Sequence, residues 1–246
     1  MTPWITAFDR ALDARRTRVD VFFRDDDTGW ADDRLFRLLD LFAAHASPID
    51  LAAIPAAVGD RLAGALLDRK RGGAAIGVHQ HGFTHSNHEA VGRSCEFGPS
   101  RSADAQSGDI GQGQRALRAL FGEHLDPIFT PPWNRCTEET GYALVEHGIT
   151  AVSRDLTAGR LGIAGLAECP VHVDWFAKTR AGRLPRSVWS SLAAGCLAEA
   201  TAPVGIMLHH AEMDDDEFEA CEALLRTVAG HQNVRLVPMK TALEMS

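Results

Sequence analysis

Along the chain, short β-branched or aromatic runs alternate with stretches in which apolar residues recur every three or four positions. Residues 3–17, with Trp4, Phe8 and Leu12 at helical spacing, predict a helix ahead of a strand that starts at Val19. Residues 32–46 predict a second helix with Leu35, Leu38, Leu39 and Phe42 on one face. A strand over 49–54, a helix over 56–69 and a strand over 74–79, after the Gly72-Gly73 break, continue the rhythm. Periodicity then disappears between 89 and 113, which reads as a long loop over the strand ends, a lid or a mobile connection.

Helix is expected to resume over 114–121, followed by a strand over 127–135 that Pro131-Pro132 stops, since proline cannot continue a ladder. Thr137, with Glu138 and Glu139 behind it, caps a helix to His147. Strands at 149–153, 169–175 and 203–210, a helix over 187–201, an acidic-started helix from 212 and a strand over 234–237 complete the pattern. Such alternation predicts parallel strands with crossover helices: an α/β fold with active groups at the C-terminal ends of the strands.

Composition narrows the partners. A chain of 246 residues, 45% hydrophobic, suits a single domain over 1–246. A net charge of −8 with no basic run argues against nucleic acid or an anionic membrane surface, and favours a neutral or cationic small substrate. The sequence shows neither a secretory leader nor an apolar run long enough to span a bilayer, which makes the cytoplasm the default location. Five scattered cysteines suggest neither a disulfide framework nor a zinc knuckle. Nothing in the sequence sets the oligomeric state.

Two stretches carry candidate chemistry. In Val19–Gly29 an apolar strand runs into Arg24 and three successive carboxylates, Asp25, Asp26 and Asp27, which repel one another unless solvent, a basic partner or a cation neutralises them. In 79–88 there are four histidines, His79, His81, His85 and His88. A helical turn, or an irregular one through Gly82, could bring His81 and His85 to one side. Imidazole nitrogen together with carboxylate oxygen suits zinc or a related divalent ion with an open position for water.

These stretches resemble the polysaccharide deacetylases, the NodB-homology or carbohydrate esterase family 4 group. A strand ending in two aspartates is matched by Asp25-Asp26, and His-x-x-x-His by His81 to His85. The resemblance implies a distorted, incomplete (β/α)7 barrel, with Asp25 as general base and Asp26, His81 and His85 holding one divalent ion, zinc in the simplest case. Asp27 stands where the family usually has glycine, so the register is open by one. On the residue pattern alone, Asp27 is expected to cap the next helix or support the metal ligands.

Further motifs follow in order. Thr130-Pro131-Pro132-Trp133 resembles a third motif whose arginine orients the base; Thr130 fills the arginine slot, leaving Arg24 or Arg135 to substitute, with Trp133 lining the groove. Asp174-Trp175 resembles a fourth, implying that Trp175 walls the acyl pocket while Asp174 tunes the catalytic histidine. Leu208-His209 resembles the fifth and implies His209 as general acid. Arg93, Glu96 and Arg101 are possible substrate contacts from the loop.

The implied activity is metal-dependent hydrolysis of an N-acetyl or other acyl group on an amino sugar or related amide, with an acetylated sugar or other small acylated molecule as partner. Two alternatives remain open. One is an amidohydrolase-type metal-dependent hydrolase using His79 and His81; the other is a catalytically silent glycan-binding barrel, which the missing arginine would suit.

Overall fold

In a computed structural model that describes residues 3–179 and 182–244, the expected alternation is realised. The outermost ends of the expected domain, 1 and 246, lie outside the described residues. In chain order the elements are α1 (Thr6–Asp13), β1 (Val19–Thr28), α2 (Asp32–Ala44), β2 (Ile49–Ala53), α3 (Asp60–Arg71), β3 (Ile76–His81), α4 (Ala103–Phe121), β4 (Ile128–Thr130) and α5 (Glu138–Glu146). Then come β5 (Ala151–Val152), β6 (Ala167–Glu168), β7 (Val171–Asp174), β8 (Lys178–Thr179), β9 (Gly182–Arg183), α6 (Arg186–Glu199), β10 (Val204–Leu208), α7 (Asp215–Ala229), β11 (Val234–Leu236) and α8 (Met239–Leu243).

The main sheet runs β6-β5-β4-β3-β2-β1-β10-β7, with β11 beside the first residues of β1. Its strand pairings are all parallel among the described residues. It curls until the chain after β5 meets β7, where the Val171 N–H donates to the Arg154 carbonyl at 2.9 Å. The result is a distorted (β/α) barrel, as the alternation predicts. No helix among the described residues is long and apolar enough to cross a membrane.

Alternation along each strand separates two environments. Val21, Phe23, Leu51, Val78, Ile206 and Leu208 join the large core under the helices, where Phe23 meets Phe42 of α2 edge-on at 5.1 Å. The residues between them turn into the barrel. Phe22, Ile128, Val171 and Met207 form a smaller cluster there, and Met239 and Ala242 of α8 plug its lower end. Above that plug the inward positions are polar. Arg24, Asp26, His79, His81 and Thr130 are all buried, so each must be paired or must serve a ligand.

One reading of the sequence is corrected. Helix α4 starts at Ala103, not near 114, with the Ser102 side chain accepting from the Ala105 N–H at its N-cap. Its periodicity is masked because buried Gln106 and Gln114 replace apolar residues, and because Gly111 and Gly113 lie against His147 and Gln80, where a Cβ would clash. The small antiparallel hairpin of β8 and β9 was not legible either.

At the barrel floor Asp50 of β2 is 1% exposed, accepts from the Met239 N–H at 2.8 Å and lies against Gly77, where a Cβ would sit 2.0 Å from its oxygen. Burial pushes its carboxyl up to about 7; the Met239 N–H opposes this and Asp126 adds to it. The folded protein therefore holds a proton that the unfolded chain releases near pH 4, so stability falls as pH rises from about 4 through about 7. Asp50→Asn keeps an acceptor for Met239 but cannot ionise. Urea denaturation at pH 5 and pH 8 should show the wild type losing about 2–4 kcal/mol between them through this group, with that part of the loss absent in the variant.

Candidate active site

At the upper end of β1 the three carboxylates take three different directions. Asp25 continues the outward series of Val21 and Phe23. It is 0% exposed, accepts from the His210 N–H at 2.9 Å and lies 2.6 Å from His210 Nδ1. The other ring nitrogen of His210 is 2.7 Å from the Trp30 carbonyl. With an acceptor on each nitrogen the ring is best held as an imidazolium, and despite burial the Asp25 carboxylate pushes it up to about 8. This pair staples the segment after β10 to β1. It leaves Asp25 no access to a substrate.

Asp26 continues the inward series of Phe22 and Arg24. Its two oxygens receive Arg24 Nε at 2.8 Å and a terminal Arg24 nitrogen at 2.9 Å, a bidentate pair inside the barrel. Arg24 is itself fully buried and also donates to Ser153 Oγ and Asn134 Oδ1, both at 2.8 Å. Burial opposes ionisation of Asp26, yet Arg24 and the nearby His81 and His209 rings hold its carboxyl below the usual carboxylate range. His209 Nε2 lies 3.9 Å from Asp26 Oδ2.

Asp27 would point outward again if β1 stayed regular. Instead the pairing with β2 shifts register between Asp25 and Thr28, and Asp27 takes φ 70, so neighbouring carboxylates share the barrel mouth. Its Oδ1 lies 3.3 Å from His81 Nε2 and 3.2 Å from His85 Nε2, without hydrogen-bonding geometry to either, although it is buried. These three side-chain atoms lie within 4.8 Å of one another, close enough that they could hold one ion. Burial works against a charge here, but the facing imidazoles hold the Asp27 carboxyl far below its ordinary value. Asp27 does not cap α2, whose N-cap is Ala31 with no side-chain hydrogen bond.

The two histidines are presented by different means. His81 ends β3 and its Nδ1 lies 2.9 Å from the Thr130 carbonyl, which fixes that nitrogen as an N–H and turns Nε2 towards Asp27. His85 follows an irregular turn, with Gly82 at φ 54 and His85 at φ 57. Buried Glu96 accepts from the Phe83 and Thr84 N–H groups at 3.2 and 2.8 Å, locking that turn. A Cβ on residue 82 would lie 2.1 Å from Glu96 Oε2. Trp133 and Trp30 flank the His85 ring with centroids at 4.5 and 4.8 Å. Asp27, His85, Trp133 and Asn134 all have positive φ, a concentration of strain at one site.

Several expected site residues fall elsewhere. His79 is fully buried, lies 2.8 Å from Thr130 Oγ1 and is kept neutral by burial, which pushes it down to about 3; it does not join His81 at the Asp27 cluster. Trp175 is buried away from the cleft, against Trp4 and Trp189, and donates to Glu217 at 2.6 Å. The next residue, Phe176, lines the cleft instead, with its ring 6.3 Å from His209. Asp174 lines the cleft and accepts from the Phe176 N–H at 2.8 Å; burial raises its carboxyl, and it makes no hydrogen bond to His209, whose buried Nδ1 has no partner. Glu96 binds the turn after β3 and Arg101 pairs with Asp109 at 2.7 Å; neither lines the cleft.

A cleft of about 1010 Å³ opens beside this centre. His209, Asp174, Phe176, Trp133 and Met207 line its inner end. The loop over 89–99 and the segment over 154–158 form its outer walls.

No family model matches the sequence, and no curated protein matches it. Solved structures do match the fold. One is a candidate polysaccharide deacetylase from Mycobacterium smegmatis, with a TM-score of 0.70 at 16% identity over 94% of this chain and 91% of that one. Another is a family 4 acetyl xylan esterase from Clostridium thermocellum in complex with a cobalt ion, at 0.59 and 15% over 92% and 90%. A third is a CE4 family pseudoenzyme from Bacillus anthracis, at 0.61 and 14% over 93% and 66%. The chain thus adopts the NodB-like barrel that its motifs led us to expect.

Proposed function

We propose that this protein is a metal-dependent deacylase that hydrolyses an N-acetyl or other acyl group on an amino sugar or related small molecule. The observation that carries the proposal is the buried Asp27 Oδ1, which has no hydrogen bond and is faced at 3.3 and 3.2 Å by the Nε2 atoms of His81 and His85. An orphaned carboxylate oxygen opposite two imidazoles is costly unless a cation completes it. Two nitrogens and one oxygen suit zinc, and cobalt occupies the matched esterase from Clostridium thermocellum. Asp27, His81 and His85 would hold such an ion, which when bound supplies Lewis-acid polarisation of an acyl carbonyl.

Around that centre the other residues divide the proton work. Asp26, kept ionised and aimed by Arg24, accepts the proton of the attacking water. Arg24 thereby fills from β1 the place that Thr130 leaves empty. His209 delivers a proton to the departing amine or alcohol. Trp133 and Phe176 narrow the cleft and limit bulk water.

The pseudoenzyme from Bacillus anthracis with the same fold, together with Thr130 in the arginine slot, favours one competing reading, a silent glycan-binding barrel. Acetate release separates the two. Metal-stripped protein reloaded with zinc or cobalt should release acetate from at least one member of a panel of N- and O-acetylated sugars, and the apoprotein should not. A protein holding one ion per chain yet inert across the panel would be the silent barrel.

A further inference from the structure

Among the charged residues that line the cleft, most are already engaged. Asp155 accepts from the Thr157 N–H at 2.8 Å, and Glu89 from the Ser100 N–H at 3.1 Å. Glu212 pairs with Lys178 at 3.3 Å and Arg183 at 3.0 Å, while Arg154 lies 3.5 Å from Glu168. Arg93 and Arg135 are different. Neither forms an ion pair among the described residues. Arg135 spends one nitrogen on the Ser94 carbonyl at 2.7 Å, and no other side-chain hydrogen bond is made by it or by Arg93, on the exposed loop, among the described residues. Burial first, and then the like charge of Arg93, holds Arg135 below the usual arginine range, so the two guanidiniums feel each other across the cleft wall.

We propose that the outer cleft binds an anionic group of the substrate, a carboxylate or a phosphate, and that Arg93 and Arg135 receive it. Two planar guanidiniums that repel each other, with no acidic partner, are relieved by an anion that takes several N–H donors at once. The group lies on the portion of the substrate away from the scissile acyl bond, because His209 and Asp174 occupy the inner end of the same cleft. The neutral or cationic substrate suggested by the net charge of −8 is therefore reversed locally. The placement relative to the acyl group rests on the deacylase reading; binding of the anion does not.

The test uses two readouts. Zinc-loaded protein is assayed on N-acetylglucosamine, N-acetylglucosamine 6-phosphate and N-acetylmuramic acid. Calorimetry then compares binding of the unacylated pair, glucosamine and glucosamine 6-phosphate. One anionic substrate should exceed the neutral one in kcat/KM by about 10- to 100-fold, and which one does so distinguishes phosphate from carboxylate. Arg93→Gln, at an exposed position where folding is not at risk, and Arg135→Gln should each bring the anionic-to-neutral ratio towards one. Equal handling of charged and neutral ligands in both readouts, or a preference that survives both substitutions, overturns the proposal. If no probe is hydrolysed but glucosamine 6-phosphate binds in an Arg93-dependent way, the anion site stands, and the deacylase reading is decided separately by acetate release across the wider panel.

Discussion

Asp26→Asn should lower acyl hydrolysis by about 10²- to 10⁴-fold while leaving the bound ion in place, because a positioned general base typically contributes that much. The substitution is nearly isosteric, and the amide oxygen can still accept one of the two Arg24 contacts at 2.8 and 2.9 Å. What is lost is the proton acceptor. The charge lost is also the partner of a fully buried guanidinium, and removing one member of such a pair costs about 3–5 kcal/mol of stability. Arg24 keeps neutral partners in Ser153 and Asn134, which limits but does not remove that cost. Rate, metal content and denaturation midpoint should therefore be measured on the same preparation. A variant that is folded, metal-loaded and fully active would remove Asp26 from the reaction.

The second large effect concerns the ion. Asp27→Asn replaces the anionic oxygen that both imidazoles face with a weaker neutral ligand, and His81→Ala removes one nitrogen from a set of three. Both should abolish stoichiometric binding of zinc and hydrolysis with it. Both should leave the fold nearly intact, since the core that stabilises the barrel is the apolar layer under the helices and the plug around Met239. Circular dichroism close to wild type alongside metal content near zero is the expected result.

The alternation of strands and helices was legible in the sequence because each crossover carries its own apolar period. His81 and His85 were legible because their spacing survives whatever turn joins them. The register among the three acids was not. Both faces of β1 are apolar, Val21 and Phe23 towards the helices and Phe22 into the barrel, so the composition of the strand does not say which parity faces inward. The positive φ at Asp27 then breaks that parity at the residue that matters. The same ambiguity sent Trp175 to an aromatic cluster outside the barrel and brought Phe176 to the cleft. Arg24 reads as one charge in an apolar strand; that it also holds Ser153 and Asn134 depends on segments more than a hundred residues away in the chain. Its inward parity with Asp26 was the available signal.

Asp25, Asp26 and Asp27 divide the work of the site among them, and metal content in the three single Asn variants separates their roles. Each protein is stripped with chelator, reloaded with one equivalent of zinc, desalted and measured by mass spectrometry. Close to one ion per chain is expected for Asp25→Asn and Asp26→Asn and almost none for Asp27→Asn. Retention of the ion by Asp27→Asn, with its loss from Asp26→Asn, would put Asp26 among the ligands and remove Asp27 from them.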